Sequence, residues 1–181
     1  TAEVASTFME DFVLEKLMKK ADEETRLVLM VHKLNGDVST IFRQVACYLF
    51  EQELHKRFRE KRYLSKEEIG KLFQKHMSAY MGSSVLQSPG SENWWIDWGH
   101  IRSFFYNYSY ASGLLISKYM QSSCAKDKSF MEKVKEFLSA GASDSPRNIF
   151  QKMDIDITDK KFWTDGLEKI ETLFKDTEKL A

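Results

Sequence analysis

The sequence contains few of the residues that interrupt helices. Its 181 residues include only two prolines and eight glycines, and both residue types disfavour the interior of a helix. Long stretches without them favour helices over a strand-rich fold with frequent turns. Because 43% of the residues are apolar and 13% are aromatic, the chain has enough apolar side chains for a core, which argues against disorder. We therefore predict an all-α protein.

Cysteine, net charge and long apolar runs are also scarce. Two cysteines, Cys47 and Cys124, make neither a disulfide framework nor a zinc knuckle, so we expect reduced, packed thiols and a cytoplasmic location. Basic and acidic residues balance at 27 each, which leaves no net field to attract nucleic acid or an anionic membrane. The basic run at 55–62 is either a nucleic-acid patch or the solvated end of a helix, and we favour the helix end. No apolar run approaches the roughly 18 residues of a membrane span.

Apolar residues recur at intervals of three and four along most of the chain, which is the helical pattern. In the first segment, for example, Val4, Phe8 and Phe12 follow this spacing. The pattern predicts helices at 3–20, 22–34, 38–59, 65–82, 105–121, 128–139, 146–153 and 160–178.

Short motifs predict where these helices begin and end. The Ser-Lys-Glu-Glu sequence at 65–68 is a capping box that begins a helix, and Gly82 ends it. Ser-Pro at 145–146 suits an N-cap followed by a first turn. We expect Asn-Gly-Asp at 35–37 to separate two helices, because Gly adopts positive φ and Asp caps the start of the next helix.

Glu3 is a candidate metal ligand on the first helix. The small residues Ala5, Ser6 and Thr7 follow it and would let another helix approach closely. A carboxylate on such a face is costly to bury unless it is paired or metal-bound, and zinc accepts carboxylate oxygen. The simpler interpretation is that acidic residues in a first turn interact favourably with the helix dipole. Glu10 lies about 10 Å further along the same face, so it is a candidate for supporting a ligand imidazole rather than for binding the same ion.

One histidine and three alternating tyrosines form a second candidate segment, His100 with Tyr106, Tyr108 and Tyr110. A period of two is typical of a strand, but the chain continues into Ala-Ser-Gly-Leu-Leu-Ile with no hairpin partner nearby, so we favour a helix. On that helix Tyr106 and Tyr110 share a face, and Tyr108 points away. A structural interpretation remains open, in which the histidine bonds to backbone and the tyrosines are core aromatics.

The remaining aromatic and histidine residues carry weaker signals. Trp94, Trp95 and Trp98 either line a peptide cleft or pack in the core, with packing the default. The other three histidines are isolated in helices, none forms a ligand pair at i and i+4, and no role is assigned to them (His32, His55 and His76).

Several of these segments, in this order and spacing, resemble the C-terminal part of the catalytic domain of oligoendopeptidase F, in the M3 family of zinc peptidases. The resemblance rests on Ala-Glu-Val-Ala-Ser-Thr-Phe at 2–8, Phe-Arg-Gln at 42–44, the stretch 98–113, Asp-Ile-Asp-Ile-Thr at 154–158 and Phe-Trp at 162–163. It implies that residues 1–181 are the multi-helix, all-α portion of a zincin-like catalytic domain, with Zn²⁺ as cofactor and an oligopeptide as substrate.

The family pattern also implies roles for single residues. Glu3 would be the third zinc ligand, and His100, Tyr106 and Tyr110 would bind peptide backbone and support the tetrahedral intermediate. Phe104 stands where the family often has proline, so the path into the tyrosine segment is expected to differ.

One departure from the family pattern is larger. The family's His-Glu-x-x-His helix, which supplies two ligands and the general base, has no match in this sequence. We therefore predict part of a zinc-dependent oligoendopeptidase that hydrolyses short peptides. It would be inactive alone and would need the N-terminal part of the peptidase as its partner. The alternative is a non-catalytic helical module that binds peptides or is purely structural.

Overall fold

The computed structural model describes residues 2–181, and 77% of them are helical with no strand. This confirms the all-α prediction, and within the tyrosine segment Tyr108 and Tyr110 lie in a helix and not in a strand. No helix within residues 2–181 is long and apolar enough to cross a bilayer. The α-helices are α1 (Ala2–Met18), α2 (Glu23–Val38), α3 (Gln44–Lys61), α4 (Lys66–Met81), α5 (Tyr108–Lys126), α6 (Phe130–Ala140), α7 (Pro146–Lys152) and α8 (Lys160–Glu178).

Three shorter helical segments complete the described elements. Ser39–Arg43 is a π-helical turn between α2 and α3, and Ser91–Ile96 and Gly99–Arg102 are 3₁₀ turns between α4 and α5. These 3₁₀ turns carry Trp94, Trp95 and His100, and Trp98 lies between them. These four aromatic residues are therefore outside regular α-helix.

Most helix ends follow the predicted motifs. At α4 the Ser65 hydroxyl accepts the Glu68 N–H, and the Glu68 carboxylate accepts the Ser65 N–H at 2.9 Å, so the capping box is confirmed. Gly82 ends α4 with a φ of 72°, a conformation that favours glycine. At α7 Ser145 is the N-cap, with proline in the first turn.

The predicted break at residues 35–37 was wrong. Helix α2 continues through them to Val38, and the π-turn leads directly into α3. Gly36 is not among the residues with positive φ, and the Asp37 side chain does not cap a helix. Asp37 is buried, and its carboxylate pairs with Lys33 one turn earlier at 2.8 Å. The Asp37 carboxylate therefore takes part in a buried ion pair and does not cap a helix.

The basic run at 55–62 is the end of a helix, as predicted. All eight residues are exposed, and α3 ends where Arg62 adopts the left-handed conformation with a φ of 63°. The N–H of Arg62 donates to the carbonyl of Phe58 at 2.7 Å. Basic side chains in this last turn also complement the helix dipole.

The described chain forms two compact units. The first comprises Thr1–Asp37 and Ser112–Ala181. Its core is a cluster of aliphatic, aromatic and sulfur-containing side chains, made of Val4, Phe8, Ile116, Met120, Cys124, Val134, Phe137, Ile149, Phe150, Met153, Ile155 and Phe162.

The second unit is Val38–Ala111. Its core is smaller and consists of Ala46, Cys47, Phe50, Leu72, Phe73, Met77 and Ile101. Trp95 and Trp98 pack against this core. Burial raises the pKa of the Cys47 thiol to about 12, and both cysteines are buried and free, which confirms the prediction of packed thiols.

A network of buried charges lies inside the first unit. The Lys118 ammonium contacts Asp11 at 2.6 Å and Asp37 at 2.8 Å, and Lys33 contacts the same two carboxylates at 3.1 and 2.8 Å. Lys169 lies 3.7 Å from Asp11. Burial alone would raise the pKa of Asp11, but Lys118 and Lys33 outweigh it and hold that pKa below its ordinary value.

Candidate active site

Glu3 lies in the first turn of α1, where α1 packs very closely against α5. A Cβ placed on Gly113 of α5 would lie 2.6 Å from the Glu3 Cβ and 3.4 Å from the Glu3 carbonyl carbon. Contacts under about 3 Å between such atoms do not occur without movement of one of them. Only a glycine at position 113 therefore allows this approach, which places the backbone of Glu3 directly against α5.

Small polar residues continue the contact one turn further along. The hydroxyls of Thr7 and Ser117 lie 2.6 Å apart, and the Ser117 hydroxyl also donates to the Val4 carbonyl at 3.1 Å. The Gln121 amide donates to the Phe8 carbonyl at 2.8 Å. Of the small residues after Glu3, Thr7 lies in this contact, whereas Ala5 and Ser6 are exposed. Hydrogen bonds hold the two helices in register.

Glu10 occupies an exposed position on α1, and its carboxylate lies 3.6 Å from the Lys33 ammonium. This contact with Lys33 does not test whether Glu10 supports a ligand imidazole, so that role stays a prediction. Within residues 2–181 no group of three or more His, Cys, Asp or Glu side chains is arranged to hold a metal ion. The described residues alone therefore do not fit a tetrahedral zinc site, which needs three or four such ligands.

In the second unit, His100, Tyr106 and Tyr110 form one aromatic cluster. The His100 Nε2 and the Tyr110 hydroxyl lie 2.7 Å apart. The ring centroids of His100 are 5.6 Å from Tyr106 and 5.2 Å from Tyr110, and the two tyrosine rings are 5.6 Å from each other. The structure thus brings together the three residues that the sequence singled out in this segment. Tyr108 instead packs against Tyr48 at 6.3 Å.

The predicted reason for this grouping was wrong in part. Helix α5 begins at Tyr108 and not at residue 105, and it ends at Lys126 and not at residue 121. Tyr106 therefore lies in the turn before α5, and it does not share a helix face with Tyr110. Phe104 and Phe105 have φ values of 49° and 63°, a region uncommon for non-glycine residues. This sharp turn folds Tyr106 back onto Tyr110.

A buried carboxylate that sequence reasoning missed anchors the turn. Glu51 of α3 is 0% exposed. Its oxygens accept the Phe105 N–H at 2.9 Å and the Asn107 side-chain amide at 3.4 Å, and the His55 Nε2 lies 3.9 Å away. Two left-handed residues in succession cost of order 1–3 kcal/mol each, and these hydrogen bonds oppose that cost. A glutamate among apolar helix positions was the signal available in the sequence.

Replacing Glu51 with alanine is expected to lower the free energy of unfolding by about 3 kcal/mol, because two buried donors lose their acceptor and a cavity remains. Urea denaturation of the chain measures this change. Glu60→Ala on the same helix is the control, because Glu60 is exposed, and its effect should stay within about 0.5 kcal/mol. Equal midpoints for the two variants would show that Glu51 does not hold the turn.

His100 and Tyr110 form one wall of an open cleft of about 710 Å³ in the second unit. This volume lies within the range of about 300–1,000 Å³ that is usual for ligand sites. The other lining residues are Gln44, Trp94, Asp97, Trp98 and Gly99. The sequence left open whether the tryptophans pack or line a cleft. Trp98 does both, Trp94 lines the cleft, and Trp95 packs against the core.

Residues 1–169 match the sequence profile of the family described as Peptidase family M3. The chain is 32% identical over 165 residues to the group B oligopeptidase PepB of Streptococcus agalactiae, covering 87% of this chain and 26% of that protein. It is 27% identical over 189 residues to the chromosomal oligoendopeptidase F of Lactococcus lactis subsp. cremoris, covering 99% of this chain and 30% of that protein. The chain thus spans less than a third of the length of these relatives.

The solved structure of oligoendopeptidase-F from Enterococcus faecium matches 99% of this chain with a TM-score of 0.86 and 25% identity, and the match covers 35% of that chain. A solved chain from Chlamydophila abortus matches with a TM-score of 0.85 at 23% identity, which supports the fold alone. The helical architecture of residues 2–181 is therefore that of one part of these larger proteins.

Proposed function

Because this chain belongs to peptidase family M3, we propose that it is the C-terminal portion of the catalytic domain of a zinc-dependent oligoendopeptidase that cleaves short peptides. The observation that carries the proposal is the cluster of His100, Tyr106 and Tyr110, in which His100 and Tyr110 line a cleft. Relatives over most of this chain are named oligopeptidases and oligoendopeptidases. The proposed location is the cytoplasm, where thiols such as the two free cysteines stay reduced.

In this proposal Glu3 provides one carboxylate for the zinc ion, and the other ligands and the general base come from the N-terminal part of the peptidase. Zinc bound in that way would polarise the scissile carbonyl of the peptide and lower the pKa of a bound water. The close contact of Glu3 with Gly113 would hold the carboxylate at a constant position. Without the other ligands we expect the chain alone to hydrolyse no peptide, even with zinc added.

The direction of the hydrogen bond between His100 and Tyr110 determines whether the Tyr110 hydroxyl proton can reach a substrate. A tyrosine hydroxyl has one proton. If Tyr110 donates it to the His100 Nε2, none is left for an oxyanion. We propose that the neutral imidazole carries its hydrogen on Nε2 and donates it to the Tyr110 oxygen. The Tyr110 hydroxyl then keeps its own proton, which it donates to the developing oxyanion of a bound peptide in this proposal. A donor of this kind contributes about 10²–10³-fold to kcat.

A chimera tests the proposal. This chain replaces the matching C-terminal region of the Lactococcus oligoendopeptidase F, and hydrolysis of a quenched fluorescent peptide is measured together with bound zinc. An active chimera is the expected result. Glu3→Ala should lose zinc and activity together, whereas Tyr110→Phe should keep zinc and lower kcat by about 10²–10³-fold. The isolated chain should stay inactive in the same assay.

Tyr108→Phe is the matched control, because Tyr108 also lies at the start of α5 but contacts Tyr48. Its kcat should match the parent chimera. If Tyr106→Phe abolished activity while Tyr110→Phe did not, the oxyanion donor would be Tyr106. A well-folded chimera that binds peptide without hydrolysis would support the non-catalytic module, and chelator-sensitive turnover by the isolated chain would contradict its predicted inactivity.

A further inference from the structure

The cleft of the second unit carries an acidic and aromatic lining that the proposed chemistry at His100 and Tyr110 does not use. Trp94, Asp97 and Trp98 lie on the 3₁₀ turn and its exit, within five residues of one another. Trp94 is 58% exposed, so its indole is accessible in the cleft that it lines. The lining therefore offers two indole side chains together with one carboxylate.

The charge of this lining is negative. Asp97 is exposed and makes no ion pair within residues 2–181. Neither lysine nor arginine lines the cleft. The nearest arginine in sequence, Arg102, donates to the Ile96 carbonyl at 2.7 Å and does not belong to the lining. A cation entering the cleft would thus meet a carboxylate that has no competing partner.

We propose that this part of the cleft is a subsite for an arginine side chain of the bound peptide. Asp97 pairs with the guanidinium, and the faces of Trp94 and Trp98 contact it. Indole faces attract cations through their quadrupole, and arginine is the commoner partner because its planar group also stacks on aromatic rings. The inference rests on the proposed function in one respect, namely that the ligand is a peptide. It adds a preference for one side chain.

The guanidinium charge can be separated from side-chain shape by comparing arginine with citrulline, which has the same length and no charge. Two dye-labelled peptide amides, Ala-Ala-Arg-Ala-Ala and its citrulline analogue, are titrated with the 181-residue chain, and fluorescence anisotropy gives both dissociation constants. A chelator in the buffer prevents metal-dependent cleavage. The arginine peptide should bind about 5–10-fold more tightly, as expected for one ion pair and one cation–π contact that are partly exposed.

Two variants identify the groups responsible. Asp97→Asn should reduce the preference for arginine over citrulline to less than about twofold, while the citrulline peptide keeps its affinity. Trp94→Ala should weaken the arginine peptide more than the citrulline peptide. Glu60→Gln removes one negative charge from an exposed site on α3 that does not line the cleft, so it controls for net charge and should preserve the full preference.

Equal dissociation constants for the two peptides, or no measurable binding of either, would overturn the subsite. So would an Asp97→Asn variant that keeps the preference. These results are independent of hydrolysis. An active chimera with no preference would remove the subsite and leave the peptidase proposal, whereas selective binding together with an inactive chimera would support the subsite and remove the peptidase.

Discussion

Replacing Lys118 with alanine is expected to lower the free energy of unfolding by about 3–5 kcal/mol, the usual cost of breaking a buried ion pair by removing one partner. Lys118 is 2% exposed and contacts Asp11 at 2.6 Å and Asp37 at 2.8 Å. Its loss leaves two buried carboxylates with Lys33 as the cation that contacts both and Lys169 3.7 Å from Asp11. Urea denaturation followed by circular dichroism measures the change.

Two comparisons test whether charge is the cause. Lys179→Ala removes an exposed ion pair with Asp176 and should cost at most about 1 kcal/mol. In a double-mutant cycle, Lys118→Met with Asp37→Asn should be more stable than the sum of the two single changes by at least about 1 kcal/mol, because fewer charges then lack a partner. Additive effects would contradict the account of a coupled network.

The same network gives a pH dependence with a defined sign. Because Lys118 and Lys33 hold the pKa of Asp11 below its ordinary value of 3.8, the ionised form stabilises the folded chain above that value. This stabilisation is lost as the pH falls through the folded-state pKa. The difference in stability between the parent chain and Lys118→Ala should therefore shrink below about pH 4. A constant difference would contradict the assignment to Asp11.

The sequence predicted the elements that depend on neighbours in the chain. The capping box at Ser65, the glycine that ends α4 and the Ser-Pro start of α7 all involve partners within four residues. Such local interactions are present in the sequence pattern itself. The helix content follows from the same local preferences, together with the scarcity of proline and glycine.

The wrong predictions concern residues whose role depends on distant partners. Asp37 resembles a helix cap in the sequence, but it pairs with Lys33 one turn earlier and with Lys118, which lies 81 positions away in the numbering of the chain. The start of α5 depends on Glu51, which accepts a hydrogen bond from Phe105 across 54 positions. No periodicity within a short window contains the partners at 81 and 54 positions, so tertiary contacts overrode the local signals.

The same distinction between local interactions and distant partners applies to the predictions for the candidate site. The grouping of His100 with Tyr106 and Tyr110 was predicted from spacing and family resemblance, and the ring contacts are present. The turn that creates the grouping was not predicted, because two phenylalanines in the left-handed region have no signature in residue type. Asp97 was overlooked for a related reason. One exposed aspartate gains significance only when the tryptophans beside it form a cleft.

Gly113→Ala is expected to destabilise the chain by about 2 kcal/mol, although alanine is about 1 kcal/mol better than glycine inside a helix. The new Cβ would lie 2.6 Å from the Cβ of Glu3, so α1 or α5 must shift. In the chimera this shift displaces the carboxylate proposed to bind zinc. Bound zinc and kcat/KM should therefore fall together, by an amount that increases with the loss of packing.

Gly36→Ala is the matched control for this prediction, because Gly36 lies inside α2 and a Cβ there would meet nothing within 4 Å. The same chemical change should stabilise the chain by about 0.5–1 kcal/mol, since only the helix preference of alanine acts. Thermal unfolding monitored at the helical circular dichroism signal gives both values. Opposite signs for the two substitutions would trace the effect to the approach of α1 and α5. If Gly113→Ala were as stabilising as Gly36→Ala, the close contact at Glu3 would not be needed, and the argument that it positions the carboxylate would fail.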